Sequence, residues 1–114
     1  MQKEILFRAD GNSEIGLGHL YRLFSLIEML KEHFKFTFLS SETSTVNIIP
    51  NNYQLKIIPS QITIKEEPEW ISNEFDKKNT LLIADGYQFN SSYQRKIKEQ
   101  GFKFVYIDDL ASEH

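Results

Sequence analysis

Apolar positions change period along the chain, and each change predicts an element. Ile5-Leu6-Phe7-Arg8-Ala9-Asp10 is apolar except at Arg8 until it ends in acid, which reads as a buried strand. From Leu20 the spacing is helical. Leu20, Leu23, Phe24, Ile27, Leu30 and Phe34 share one stripe, while Tyr21, Arg22, Ser25, Glu28, Lys31 and Glu32 mostly take the other side. Residues 35–40 predict a second strand and 40–45 a turn, with a short helix over 43–49 that stops before Pro50. Alternation over 53–58, ending before Pro59, predicts a third strand. Residues 61–65 fit neither template. A helix follows over 66–78, with Pro68 tolerated in its first turn and Trp70, Ile71 and Phe75 turned inward. Thr80-Leu81-Leu82-Ile83-Ala84-Asp85 is the clearest buried strand, again closing on a carboxylate. A loop over 86–90 leads to a helix capped by Ser91 or Ser92, running to about Gln100 and stopped by Gly101. Residues 102–109 predict the fifth strand, and Phe34, Phe36 and Phe38 are expected in the core.

Strands alternating with helices predict an α/β fold. It is a Rossmann-like, three-layer domain whose parallel sheet of about five strands runs in the order 3-2-1-4-5. In that order strands one and four lie side by side at the switch point, and ligands bind at their carboxyl ends. Asp10, His19, Asp85 and Tyr87 are expected to converge there. Asp108 and Asp109 fall one strand further out.

The length, 114 residues, suits one domain, and 40% hydrophobic content is enough for a core. Thirteen basic against sixteen acidic side chains, net −3, give no electrostatic case for nucleic acid or an anionic membrane. No apolar run approaches the roughly 20 residues that span a bilayer. Met1-Gln2-Lys3-Glu4 runs straight into the first strand, so no signal peptide is expected. Without cysteine there are no disulfides or thiolate metal sites, which fits a cytoplasmic protein.

Candidate chemistry sits in Gly16-Leu17-Gly18-His19. Gly16 and Gly18 allow positive φ and close backbone approach, and the first N–H groups of the helix then favour an anion or a polarised oxygen. His19, at or beside the first helical position, is the first catalytic candidate. Bland readings stand beside these. His19 can cap the helix, the glycines can serve only the turn, and Asp10, Asp85 and Asp108 can accept loop N–H bonds. Tyr87 can cover the loop, and Arg22 can lie on a solvated face. Two other functions compete. A dinucleotide-binding domain expects G-x-G-x-x-G, but the third position is Tyr21, whose ring would push the helix off the strand; Glu42 could still mimic the ribose-binding acid. A receiver-like or metal-binding module could use Asp10, Asp85, Asp108 and Asp109, since paired acids hold Mg²⁺, although Arg8-Ala9-Asp10-Gly11 lacks the receiver's acidic pair.

Four blocks in order, Phe7-Arg8-Ala9-Asp10, Gly16-Leu17-Gly18-His19-Leu20-Tyr21-Arg22, Asp85-Gly86-Tyr87 and Ile107-Asp108-Asp109-Leu110, resemble the pseudaminic-acid pathway UDP-sugar hydrolases, relatives of spore-coat polysaccharide proteins. The resemblance implies the amino-terminal half of a glycosyltransferase-B-type fold. It implies release of UDP by water attack at the anomeric carbon of a diacetamido-trideoxy sugar, with inversion and with neither metal nor cofactor. His19 would be the general base, suited by an imidazole pKa near 6.5. Asp10 and Tyr87 would orient hydroxyl or acetamido groups, and the N–H groups after Gly18 would hold ligand oxygens. Gly16, Gly18 and Asp85 would line the sugar site, and Arg22 would bind an acid or position the loop. The carboxyl-terminal domain, which carries most of the UDP site in the family, is expected to be absent. The chain alone is then expected to be inactive and open to self-association through an uncovered sheet edge or face. A related glycosyltransferase remains the alternative, because an acceptor hydroxyl needs the same base.

Overall fold

The computed structural model describes residues 4–12, 16–42 and 48–107. Five strands, β1 (Glu4–Ala9), β2 (Lys35–Ser41), β3 (Leu55–Ile58), β4 (Thr80–Asp85) and β5 (Lys103–Ile107), form one sheet in the order β3-β2-β1-β4-β5. Every pairing is parallel, as the sequence predicts. In the central pair Glu4 faces Thr80 and Ala9 faces Asp85, so the carboxyl ends of β1 and β4 finish level.

Strand periodicity sorts side chains onto two faces. Ile5, Phe7, Ala9, Phe38 and Ile83 meet Leu20, Leu23 and Ile27 of α1 (Gly18–Leu30) on one face. Leu6, Leu39, Leu82 and Ala84 meet Ile71 of α2 (Glu67–Glu74) together with Tyr93 and Ile97 of α3 (Ser91–Glu99) on the other. That is the three-layer arrangement. Strands buried on both sides read as near-continuous apolar runs, which is why β1 and β4 were legible.

The differences are local. The third strand is shorter than residues 53–58, because Tyr53 leaves the alternation to pack edge-on against Phe36, with ring centroids 5.1 Å apart, and to donate its hydroxyl to Glu28 at 2.6 Å. The second helix ends at Glu74 rather than near residue 78, because Phe75 is extended and Asp76 takes the N–H of Lys78 at 3.0 Å into a turn. Asn90, not Ser91 or Ser92, caps α3 by accepting the Tyr93 N–H at 3.0 Å. Phe34 is not core. It follows α1 rather than extending its stripe, and is 41% exposed. The helix expected over 43–49 falls mostly outside the described residues, as do Asp108 and Asp109.

Candidate functional site

The β1–α1 connection is built from backbone contacts. Asn12 and Gly16 exchange antiparallel bonds, with Asn12 N–H donating at 3.2 Å and Gly16 N–H at 2.8 Å. Gly16 closes this turn at φ 84°, a conformation that side chains disfavour. Gly11 is needed for space, since a Cβ there would sit 2.7 Å from Leu20 Cδ1. Gly18 differs from expectation. It starts the helix without positive φ, and nothing lies within 4 Å of where its Cβ would be. Leu17 occupies the N-cap position without a side-chain bond, and no acid sits in the first turn of α1.

His19 and Arg22 are three residues apart and therefore share a side of α1. Both reach the last residue of β4. Asp85 is wholly buried, on the α1 side of the sheet with Leu81 and Ile83. Its carboxylate accepts Arg22 Nε at 2.5 Å and Arg22 Nη2 at 2.6 Å, and lies 2.8 Å from His19 Nδ1. A buried carboxylate needs compensating charge, and the two-pronged guanidinium supplies it. With Asp85 so held, the favoured imidazole tautomer donates from Nδ1 and leaves Nε2 as the proton acceptor. The Tyr87 ring meets the His19 ring edge-on, centroids 5.0 Å apart, and is itself 62% exposed. His19 thus lies at the rim, on Tyr87's side, with 13% of its side chain exposed.

Asp10 is held chiefly by other partners. It accepts Arg8 Nη1 at 2.6 Å, the Ser41 N–H at 2.7 Å, Ser40 Oγ at 3.1 Å and Gln88 Nε2 at 3.2 Å. Arg8 also gives Nε and Nη2 to Glu67 at 2.8 and 2.9 Å, and the Tyr93 hydroxyl donates to the same acid. Burial would lower the Arg8 pKa, but Glu67 and then Asp10 outweigh it, holding the guanidinium charged well above its ordinary range. Burial, then Glu67, raises the Tyr93 pKa well above its usual value. The β4–α3 loop straddles the two groups, with Tyr87 against His19 and Gln88 against Asp10.

Sequence reasoning missed this second cluster, although two signals were there. Arg8 stands in an otherwise apolar strand two residues before Asp10, hence on the same face, and a buried cation requires partners. Glu67 precedes Ile71 by one helical turn, so it belongs on the inward side of α2. One predicted clash is also corrected. The Tyr21 ring is 53% exposed and packs edge-on to Phe24, so it does not push α1 away from the strand. Glu42 accepts the Ser60 N–H at 2.8 Å. Among the described residues no helix is long and apolar enough to cross a membrane, and no cluster of three or more acidic, histidine or cysteine residues could hold a metal ion.

No protein-family model matches the chain. Over 112 residues, 97% of its length, it is 33% identical to the UDP-2,4-diacetamido-2,4,6-trideoxy-β-L-altropyranose hydrolase of Campylobacter jejuni, and it spans 38% of that protein. Motif blocks and alignment therefore agree that nearly the whole chain resembles a portion, by its motifs the amino-terminal one, of a UDP-sugar hydrolase.

Proposed function

We propose that this chain is the amino-terminal, sugar-handling domain of a nucleotide-sugar hydrolase of glycosyltransferase-B type, acting in the cytoplasm in nonulosonic (pseudaminic) acid or surface-polysaccharide synthesis. The observation that carries the reading is the His19 Nδ1–Asp85 contact of 2.8 Å, which dedicates Nε2 to proton removal at the mouth of the sheet. His19 Nε2 takes a proton from water as the water oxygen bonds to the anomeric carbon. The bond from that carbon to the phosphate oxygen breaks with its electron pair, and UDP leaves. Asp85 stabilises the imidazolium formed, and Arg22, bonded to both carboxylate oxygens, holds Asp85 in place to orient the ring. Asp85 and Arg22 are thus positioning residues, while the amides of 18–20 and Tyr87 would meet sugar oxygens. The metal-independent, inverting course is that of the family the chain resembles. Uridine and diphosphate contacts belong to a further domain, so the 114-residue chain alone is expected not to turn over.

The test is UDP release from a UDP-linked diacetamido-trideoxy sugar, followed chromatographically for this chain and for a protein that joins it to a nucleotide-binding half. The longer protein is expected to release UDP, and His19→Ala to lower kcat by about 10²–10⁴-fold with little change in KM. An unchanged rate in that variant overturns the assignment. So does turnover by the short chain, which would remove the need for a second domain.

A further inference from the structure

Tyr87 is mostly exposed, yet its ring stands edge-on to His19. One such contact is too weak to hold an exposed side chain against its rotamer freedom, so the backbone beneath it has to be set by its neighbours. Both neighbours are anchored. The Gly86 carbonyl accepts the Tyr106 hydroxyl at 3.1 Å and the Phe89 N–H at 3.2 Å. Gln88 donates from Nε2 to Asp10 Oδ2 at 3.2 Å. Phe89 follows, wholly buried, with the Arg8 guanidinium 5.0 Å from its ring centroid.

Of these anchors the Gln88 amide is the one that ties the loop to the end of β1. It folds back over Gly86, where a Cβ would sit 2.5 Å from Gln88 Oε1 and 3.0 Å from Phe89 Cε2, and where φ is 155°. Glycine at 86 therefore leaves the room that the amide occupies. The far end of the tie is firm. Asp10 also accepts Arg8 Nη1 at 2.6 Å and the Ser41 N–H at 2.7 Å, and Arg8 is braced in turn by Glu67 of α2. A bond to a carboxylate is roughly twice as strong as one between neutral groups, which suits a single side chain that has to fix a loop.

We propose that Gln88 is a positioning residue: tied to Asp10, it sets the β4–α3 loop so that the Tyr87 ring stays against His19. Two adjacent loop residues then join the two charged clusters, and the packing of α2 onto β1 reaches the histidine through Arg8, Asp10 and Gln88. Gln88 touches no reacting atom in this role. Its bearing on rate rests on the hydrolase reading, whereas its bearing on geometry does not.

The experiment is NMR of this chain, reading NOEs between the Tyr87 and His19 rings and the ring-current shift on His19 Hδ2 and Hε1. Tyr87→Ala gives the full size of that shift. Gln88→Met keeps the length but cannot donate, and it is expected to abolish about half or more of both signals, with the melting temperature reporting that the fold is kept. Gln88→Ala reads the same way without a bulky replacement. In the protein that joins this chain to a nucleotide-binding half, Gln88→Met should lower kcat by about tenfold, with kcat falling more than KM rises. Intact NOEs and shifts in both variants overturn the proposal, and so does a lost contact with an unchanged rate. Absence of UDP release from that longer protein even with Gln88 in place would sink the hydrolase reading instead, and the NMR signals would still decide whether Gln88 holds the ring.

Discussion

At the scale of single residues, the two arginines do different work although each neutralises a buried acid. Arg22 keeps about 38% of its side chain exposed and braces Asp85 from the rim, but Asp85 itself is wholly buried, so losing Arg22 costs stability as well as positioning. Arg8 is enclosed between Asp10 and Glu67, and truncating it leaves two acids without their cation. Arg8→Met is therefore expected to destabilise the chain by about 3–5 kcal/mol, read from urea unfolding. A loss below about 1 kcal/mol would mean that the cluster is solvated and not held together by charge. Asp85→Asn should keep the fold better, because the amide oxygen can still accept from Arg22, while UDP release by the two-domain protein falls by about 10²-fold or more as the imidazole loses its fixed tautomer. A full rate in Asp85→Asn would detach His19's role from its orienting acid.

At the scale of elements, the β1–α1 turn shows how far sequence carries. Alternation and stripe located the strand, the helix and the histidine in the helix's first turn, because burial imposes those periods directly. Turn chemistry was less legible. Gly16 and Gly18 look alike in sequence, but only Gly16 sits at φ 84°, and Gly11, not singled out, is the one pressed against Leu20. Gly16→Ala is expected to cost about 1 kcal/mol through backbone strain alone, since its Cβ meets open space. Gly18→Ala, in helical conformation and equally open, should be neutral or stabilise by up to about 1 kcal/mol. Thermal melts of the two variants separate these expectations, and equal losses would mean that both glycines are held for φ. The Asp10 cluster escaped sequence reading for a different reason. Its partners are up to 78 positions apart, from Asp10 to Gln88, and no local period encodes a contact between a strand end, α2 and the following loop.

At the scale of the whole molecule, a tyrosine hydroxyl donates to a glutamate on each face of the sheet, Tyr53 to Glu28 in a partly exposed contact on the α1 side and Tyr93 to Glu67 in a buried one on the other. Burial first, and the neighbouring acid second, raises both phenol pKa values above their ordinary range. The sign follows from which state holds the proton. In the unfolded chain both phenols ionise near pH 10, whereas in the folded chain they stay neutral to higher pH. Their contribution is thus complete below about pH 10 and is lost as pH climbs through the folded values. Stability measured by urea unfolding should hold steady approaching pH 10 and then fall. Tyr93→Phe should lower stability near neutrality by about 1–3 kcal/mol, because Glu67 loses a buried donor, and should flatten the alkaline decline. Tyr53→Phe tests the opposite face in the same way, although Glu28 is solvent-exposed and also paired with Lys31 at 2.8 Å, so its loss at neutrality should be smaller. An alkaline decline of unchanged slope in the Tyr93→Phe, Tyr53→Phe double variant would assign alkaline unfolding to other groups and remove the two phenols from the account of what holds the two faces to the sheet.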